Sequence, residues 1–292
     1  MIPQEITNSL VTFFAEQLSC KFQLISDNPL SGGCINNVCH LKTNLGDFCL
    51  KYNLASAFPG MFEREATGLT LLKEANEIRV PGVIHTGSGK QYSYLLLEFV
   101  SSVSPVSTLM DDFGRSLARL HRHTAELFGG DQDNYMGSLP QSNRKHSDWI
   151  SFFTEERLEK QVRLAQSSGF LNHETIDCFR RLYKRLDTIF PVENPSLLHG
   201  DLWGGNWLVA ENGKACLIDP AVYYGHREVD IAMTTLFGGF SSDFYTAYQE
   251  EFPLENGWRA RLEICNLYPL LIHLNLFGSG YLGKIESIVR KF

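Results

Sequence analysis

The run His199-Gly-Asp201-Leu-Trp203-Gly-Gly-Asn206 is followed, thirteen residues after the asparagine, by Asp219 in Leu-Ile-Asp-Pro. These are the residue types that phosphoryl transfer to a hydroxyl requires. One carboxylate must orient the attacking hydroxyl and take its proton, and further hard oxygen ligands must hold Mg²⁺ across nucleotide phosphates. Asp201 suits the first task, and Asn206 and Asp219 suit the second. A short hairpin between Asn206 and Asp219 would bring the two ligands together. Asp-x4-Asn alone is common by chance, and such residues often only cap turns; the longer His-x-Asp-x4-Asn-x12-Asp pattern, set between strand-like pieces, is not.

Three features further upstream point the same way. Ser31-Gly32-Gly33-Cys34-Ile35-Asn36 lies between two strand-like runs, where glycines let backbone N–H groups approach phosphate oxygens, although a plain hairpin turn would read alike. Lys51 ends the apolar strand Phe48-Cys-Leu-Lys51, a place for either a snorkelling surface residue or a phosphate ligand. Glu65, fourteen residues later, shares a helix side with Leu69 and Leu72 and so faces inward. Pairing a buried lysine with a buried glutamate removes two desolvation problems at once.

The elements that must position these groups follow from periodicity. After an amphipathic opening helix come β-type runs at Phe22–Ser26, Asn37–Thr43 and Phe48–Tyr52, then a helix over Met61–Ala75, then strand-like runs at Gly82–Thr86 and Ser93–Phe99. From about Val106 the period becomes helical: Phe113, Leu117, Leu120 and His121 share a face, and long helical patterns cover Trp149–Ala165 and Thr175–Phe190. Short strand-like pieces at Leu197–Leu198, Trp207–Val209 and Ala215–Ile218 interrupt them. Ser101–Pro105 reads as the linker between a β-rich lobe, residues 1–100, and an α-rich lobe, residues 101–292.

Composition sets the outer bounds. The 292 residues are 43% hydrophobic and 20% charged, a folded chain long enough for a sizeable core. Twenty-six basic against thirty-three acidic residues give a formal charge of -7 with no basic block, which disfavours nucleic acid as a partner. The seven cysteines form no CxxC pair, so a disulfide framework or structural zinc is not expected and a reducing, cytoplasmic setting is. No run is long and apolar enough to span a bilayer, so no membrane partner is expected.

Taken together, the chain resembles the protein-kinase-like fold of small-molecule kinases, the class of aminoglycoside and choline kinases, and within it the fructosamine (ketosamine-3) kinase family. The generic motifs are the glycine loop, Lys51, Glu65, His199-x-Asp201-x4-Asn206 and Asp219. The narrower ones are the His199–Asn206 run with Trp203, Tyr224-Gly-His226-Arg227-Glu228-Val-Asp230, and His273-Leu-Asn-Leu-Phe-Gly278. The resemblance implies an α+β, two-lobed fold with a small β-rich N-lobe that binds nucleotide and a larger, mostly α-helical C-lobe that carries catalysis and the acceptor site. It also implies ATP and Mg²⁺ as cofactors, and as substrate a ketosamine, small or protein-bound, phosphorylated on its 3-hydroxyl. The phosphate then breaks down and frees the amine, which makes the role deglycation.

Carried over by position, the resemblance makes Asp201 the catalytic base, Asn206 and Asp219 the metal ligands, and Lys51 the phosphate ligand held by Glu65. Ser31, Gly32, Gly33, Cys34, Ile35 and Asn36 cover the phosphates, and the backbone of Glu98, Phe99 and Val100 meets adenine. Trp203 and His273 are candidates for substrate contact, each with a plain core role as the alternative. His121 reads as a core histidine, His199 as a brace for the catalytic loop, and Asp230 as a ligand of loop backbone. Asp219 is followed by Pro220 rather than Phe-Gly, and no protein-kinase activation segment is visible, which argues against folded protein loops as acceptors. The alternatives are a kinase of another small alcohol (an aminoglycoside, choline or a sugar) and a nucleotide-binding pseudokinase, although the latter would normally have lost Lys51, Asp201 or Asp219. Relatives with a cysteine at the position of Cys34 suggest a redox response through a disulfide between two chains, so the expected state is a monomer or a redox-linked dimer.

Overall fold

The structure, a computed structural model, describes residues 1–30 and 35–292. Helix α1 (Gln4–Leu18) precedes strands β1 (Leu24–Pro29), β2 (Asn37–Thr43) and β3 (Gly46–Leu54), helix α2 (Met61–Ala75), and strands β4 (Val83–Ser88) and β5 (Tyr92–Glu98). The strands make one antiparallel sheet in the order β1-β2-β3-β5-β4. Strand alternation decides what each face does. On β3 and β5, Leu50, Tyr94 and Leu96 are packed by Ile6, Leu10 and Phe14 of α1, in a cluster separate from the main core. Lys51 lies between Leu50 and Tyr52 in sequence and so points to the opposite face, toward α2. On α2, Phe62, Leu69 and Leu72 are buried in the main core, and the helix stops at Asn76, whose left-handed backbone (φ 56°) returns its N–H to the Lys73 carbonyl.

The rest of the chain is mostly helical: α3 (Leu109–Leu120), α4 (Trp149–Phe152), α5 (Glu159–Ser167), α6 (His173–Tyr183), α7 (Leu186–Ile189), α8 (Glu228–Thr234), α9 (Ser242–Glu251), α10 (Trp258–Cys265), α11 (Leu267–Phe277) and α12 (Leu282–Val289). One π-helical turn, Phe153–Leu158, joins α4 to α5. Three two-stranded ribbons are inserted: β6 (Asn134–Met136) with β7 (Leu139–Gln141), β8 (Ser196–Leu198) with β11 (Tyr223–Gly225), and β9 (Trp207–Val209) with β10 (Ala215–Leu217). This is the expected α+β, two-lobed, protein-kinase-like arrangement of a β-rich part followed by a helical part. Among the described residues no helix is long and apolar enough to cross a membrane.

Three local expectations are revised. The first strand begins at Leu24, because Phe22 turns into the α1 cluster. The helical pattern over Thr175–Phe190 is two helices, broken at Lys184 and Arg185. The pattern over Trp149–Ala165 contains the π turn, whose wider spacing lets the neighbouring Glu156 and Arg157 both turn inward.

Candidate active site

The segment His199–Asn206 connects β8 to β9, and Ile218–Val222 connects β10 to β11, so the two ribbons hold the two segments side by side. Cross-bonds fix the juxtaposition: Ile218 N–H donates to Asn206 O at 3.0 Å, and Ala221 N–H to His199 O at 2.9 Å. Gly200 has φ +83°, and a Cβ there would stand 2.1 Å from the Ala221 carbonyl oxygen, so only glycine fits. Asp219 itself is in the left-handed region, φ +54°, an uncommon state for a non-glycine residue that marks a held conformation.

Buried polar groups brace the loop from behind. Asp230, the third residue of α8, is fully buried, and its carboxylate accepts from the backbone N–H groups of His199 (2.7 Å) and Gly200 (2.9 Å). It therefore serves the His199–Asn206 loop and not the start of its own helix. Burial holds His199 below its ordinary pKa. The neutral ring donates from Nε2 to the Ile218 carbonyl at 3.0 Å and accepts the Asp201 N–H at Nδ1 at 3.2 Å. His121, also fully buried, bonds Tyr248 Oη at 2.8 Å and Asp230 at 3.3 Å, which makes it a core residue supporting that carboxylate.

On this frame the Asn206 amide group donates to both the carbonyl and the carboxylate of Asp201, each at 2.8 Å. That consumes the amide nitrogen and leaves Oδ1 as the atom Asn206 can offer a cation. Burial raises the Asp201 pKa well above the carboxylate range; the Asn206 bond opposes the rise, while Asp219 and Asp230 add to it. From the sheet side, Lys51 Nζ donates to Glu65 Oε1 at 2.5 Å and to Asp219 Oδ1 at 2.9 Å. Burial alone would lower the lysine pKa, but the Asp219 and Glu65 carboxylates outweigh it and hold the ammonium firmly charged. Asp219 keeps 44% of its side chain open to the cleft, whereas Lys51 keeps 4%.

These groups line one cavity of about 490 Å³. Lys51, Glu65, Asp201, Asn206, Asp219, Ile35, Asn36, Trp203 and His273 all reach it. Asn36 is anchored by the Asn53 amide at 2.6 Å. Ser31, Gly32, Gly33 and Cys34 lie outside the described residues. Glu98, Phe99 and Val100 stand apart from the lining: Glu98 bonds Arg79 (2.7 Å) and the Gly82 N–H (3.0 Å), Phe99 stacks on His40 at 3.7 Å, and Val100 packs with Ala210 and Cys216.

Part of the cavity lining is aromatic. Trp203 meets Phe237 edge-on at 5.9 Å, Phe237 meets His273 at 4.9 Å, and His273 lies 5.5 Å from Phe277 and 5.0 Å from Tyr281. His273 donates from Nδ1 to the Pro269 carbonyl at 2.7 Å, and burial lowers its pKa, so the neutral ring keeps Nε2 as an acceptor. The loop bearing Phe237 rests directly on the His199–Asn206 loop. A Cβ on Gly204 would lie 2.7 Å from Gly238 O, and one on Gly239 2.9 Å from the Gly204 Cα. The β6–β7 ribbon forms another wall through Asn134, Tyr135, Met136 and Gly137. Sequence reasoning missed this ribbon and Phe237. Phe277 was within reach, since it belongs to the His273–Gly278 run.

Comparison with known proteins gives matches over most of the chain's length. A family model described as fructosamine kinase matches residues 6–292. A probable ketoamine kinase of Enterococcus faecium is 40% identical over 266 residues, 90% of this chain and 94% of the relative. The chloroplastic protein-ribulosamine 3-kinase of Arabidopsis thaliana is 38% identical over 276 residues, 91% and 82% of the two chains. The crystal structure of a putative fructosamine-3-kinase from Haemophilus somnus superposes with a TM-score of 0.89 at 29% identity, covering 99% of this chain and 98% of that one.

Proposed function

Because the chain belongs to the fructosamine kinase family, we propose that it transfers the γ-phosphoryl group of ATP to the 3-hydroxyl of a ketosamine, an adduct of a sugar with an amine or a lysine side chain. The observation that carries this reading is that Lys51, Glu65 and Asp219 converge with Asp201 and Asn206 on one cavity that Trp203, Phe237, His273 and Phe277 also line. Residues 1–100 serve as the nucleotide lobe, with Lys51, Glu65, Ile35 and Asn36 on its side of the cavity. Residues 101–292 supply catalysis and the acceptor site. Lys51, charged and held on two carboxylates, orients phosphate oxygens. Asp201 receives the acceptor's hydroxyl proton, and its raised affinity for a proton suits that task.

The donor set fits Mg²⁺. Asp219 presents an open carboxylate, and Asn206 presents Oδ1 with its nitrogen already engaged, so both offer hard oxygens. Bound there, the ion would neutralise phosphate charge. The aromatic wall of Trp203, Phe237, His273 and Phe277 suits a sugar face and the cationic amine attached to it. Among the described lining residues the carboxylates are Glu65, Asp201 and Asp219, all engaged in the transfer machinery, which leaves none for a polycationic aminoglycoside. Loss of the 3-phosphate from the product would free the amine, a deglycation role.

The test is to incubate the protein with Mg-ATP and a panel of ribulosamines, erythrulosamines, fructosamines and aminoglycosides, follow ADP release, and locate the phosphate by NMR. Turnover of one or more ketosamines with phosphate on O3 is expected. ADP release only with aminoglycosides, or phosphate on another oxygen, would overturn the assignment.

A further inference from the structure

Arg157 is completely buried, yet its hydrogen-bond acceptors are the Ser142 carbonyl, the Asn143 side-chain oxygen (2.8 Å) and the Glu156 carbonyl (3.3 Å). Among the described residues no carboxylate answers the charge. The neighbouring Glu156 turns its carboxylate instead to Arg144, His146 and Lys160. The guanidinium is sandwiched by rings, 4.0 Å from Tyr223, 4.5 Å from Phe152 and 5.3 Å from Tyr268. A buried cation compensated only by carbonyls, an amide and aromatic faces is costly where an apolar side chain would fill the space, and it sits in a π turn, an element concentrated at functional sites.

What the charge does is visible in the bonds beyond it. Arginine has donors only, so the Asn143 oxygen must face it and the Asn143 nitrogen must face away. That nitrogen donates to Asn134 Oδ1 at 3.0 Å, which obliges the Asn134 nitrogen to point onward, to the Val222 carbonyl at 2.9 Å. Gln141, on the same ribbon, donates to Asn134 Oδ1 at 2.8 Å and to the Ala221 carbonyl at 3.1 Å, and accepts from Tyr268 Oη at 2.9 Å. Ala221 and Val222 follow Asp219 by two and three residues, Asn134 belongs to the cavity wall, and Tyr268 belongs to the helix that carries His273.

We propose that Arg157 is a positioning residue: its guanidinium sets the direction of a buried amide relay that fixes the Asp219 segment and the β6–β7 wall against each other, and so aligns the acceptor with the phosphoryl group. The proposal rests on the phosphotransfer reading for its kinetic consequence, and its structural consequence is measurable without any substrate.

The experiment compares Arg157→Met, Arg157→Lys and the wild type by backbone hydrogen exchange and by steady-state kinetics with the ketosamine best turned over. Met fills the volume but leaves the amides free to flip; Lys returns one charged donor. In Arg157→Met, exchange at 134–143 and 219–224 should quicken by about tenfold or more while the β1–β5 sheet is unchanged. Misalignment of about an ångström at the reacting atoms should lower kcat by about 10–100-fold. KM for ATP should stay within about threefold, and Arg157→Lys should recover part of both readouts. Unchanged exchange in those two segments, faster exchange everywhere in proportion, or equal losses in kcat and ATP binding would each overturn the positioning role. If no ketosamine is turned over by the wild type, the substrate reading fails, and the exchange data still decide the relay.

Discussion

Glu65 can be tested by removing first its charge and then its side chain. Lys51 is nearly sealed from solvent, and its 2.5 Å bond to Glu65 is the shorter of its two charge-assisted contacts. Glu65→Gln keeps an acceptor for the Lys51 ammonium but removes one of the two carboxylates that hold it, so about half of the value of a hydrogen bond between two charged groups, about 1–1.5 kcal/mol of Lys51 placement, should be lost. That corresponds to roughly a tenfold fall in kcat/KM for ATP. Glu65→Ala leaves Asp219 as the lysine's partner. Breaking a buried pair costs about 3–5 kcal/mol, and the remaining carboxylate at 2.9 Å keeps the loss near the lower figure, about a hundredfold in the same parameter. The assay is initial-rate kinetics over varied ATP at saturating ketosamine, with melting curves to confirm folding. A double-mutant cycle with Lys51→Met should return a coupling of at least about 1 kcal/mol, as residues in direct contact do. Additive losses, or a Glu65→Ala protein with wild-type kcat/KM, would refute the claim that Glu65 works by holding Lys51.

Asp201→Asn keeps the shape of the loop but removes the proton acceptor, so kcat should fall by about 10²–10⁴-fold while ATP affinity is retained; near wild-type turnover would remove Asp201 from its role. Asp219→Ala should abolish activity and make ATP affinity indifferent to Mg²⁺, which a nucleotide titration with and without the ion checks. Gly200→Ala places a methyl 2.1 Å from the Ala221 oxygen at φ +83°, and kcat should drop by at least about a hundredfold through displacement of Asp201, read against wild type in the same coupled assay. His226 is buried, and burial pushes its pKa down to about 4. An unfolded chain takes up that proton near pH 6.5, so stability is full above about 6.5 and declines toward about 4, by about 3 kcal/mol from this one group. Urea melts of His226→Asn should show a flatter acid limb, and an identical slope in both proteins would discount the residue.

The parts of the site that could be read from the chain are those where backbone period and side-chain chemistry coincide. Lys51 stood out because it ends the apolar run Phe48-Cys-Leu on a strand, and Glu65 because it repeats with Leu69 and Leu72. The Asn206–Asp219 spacing anticipated the β9–β10 ribbon, since a short excursion between two ligands must turn back. What escaped has no period of its own. The strands of β6 and β7 are three residues each, and their positions are set by Asn134 and Gln141 bonding to the distant backbone of Val222 and Ala221 rather than by an apolar pattern. Arg157 has no mark in the sequence that sets it apart within the helical pattern over Trp149–Ala165. Only the π turn and the rings of Tyr223 and Tyr268, far away in sequence, reveal it as buried.

The contact of Gly204 with Gly238 and Gly239 makes the catalytic loop and the loop bearing Phe237 a single rigid part, backbone against backbone. Phe237 and Phe277 nevertheless leave 43% and 56% of their surfaces in the open mouth. The molecule therefore separates what must stay constant from what can vary. Exchanging the two rim aromatics would change the bulk the mouth admits while the glycine contact keeps the His199–Asn206 loop in place. Substitutions at those glycines would disturb selectivity and rate together, so acceptor range should drift at the rim long before it drifts at the floor.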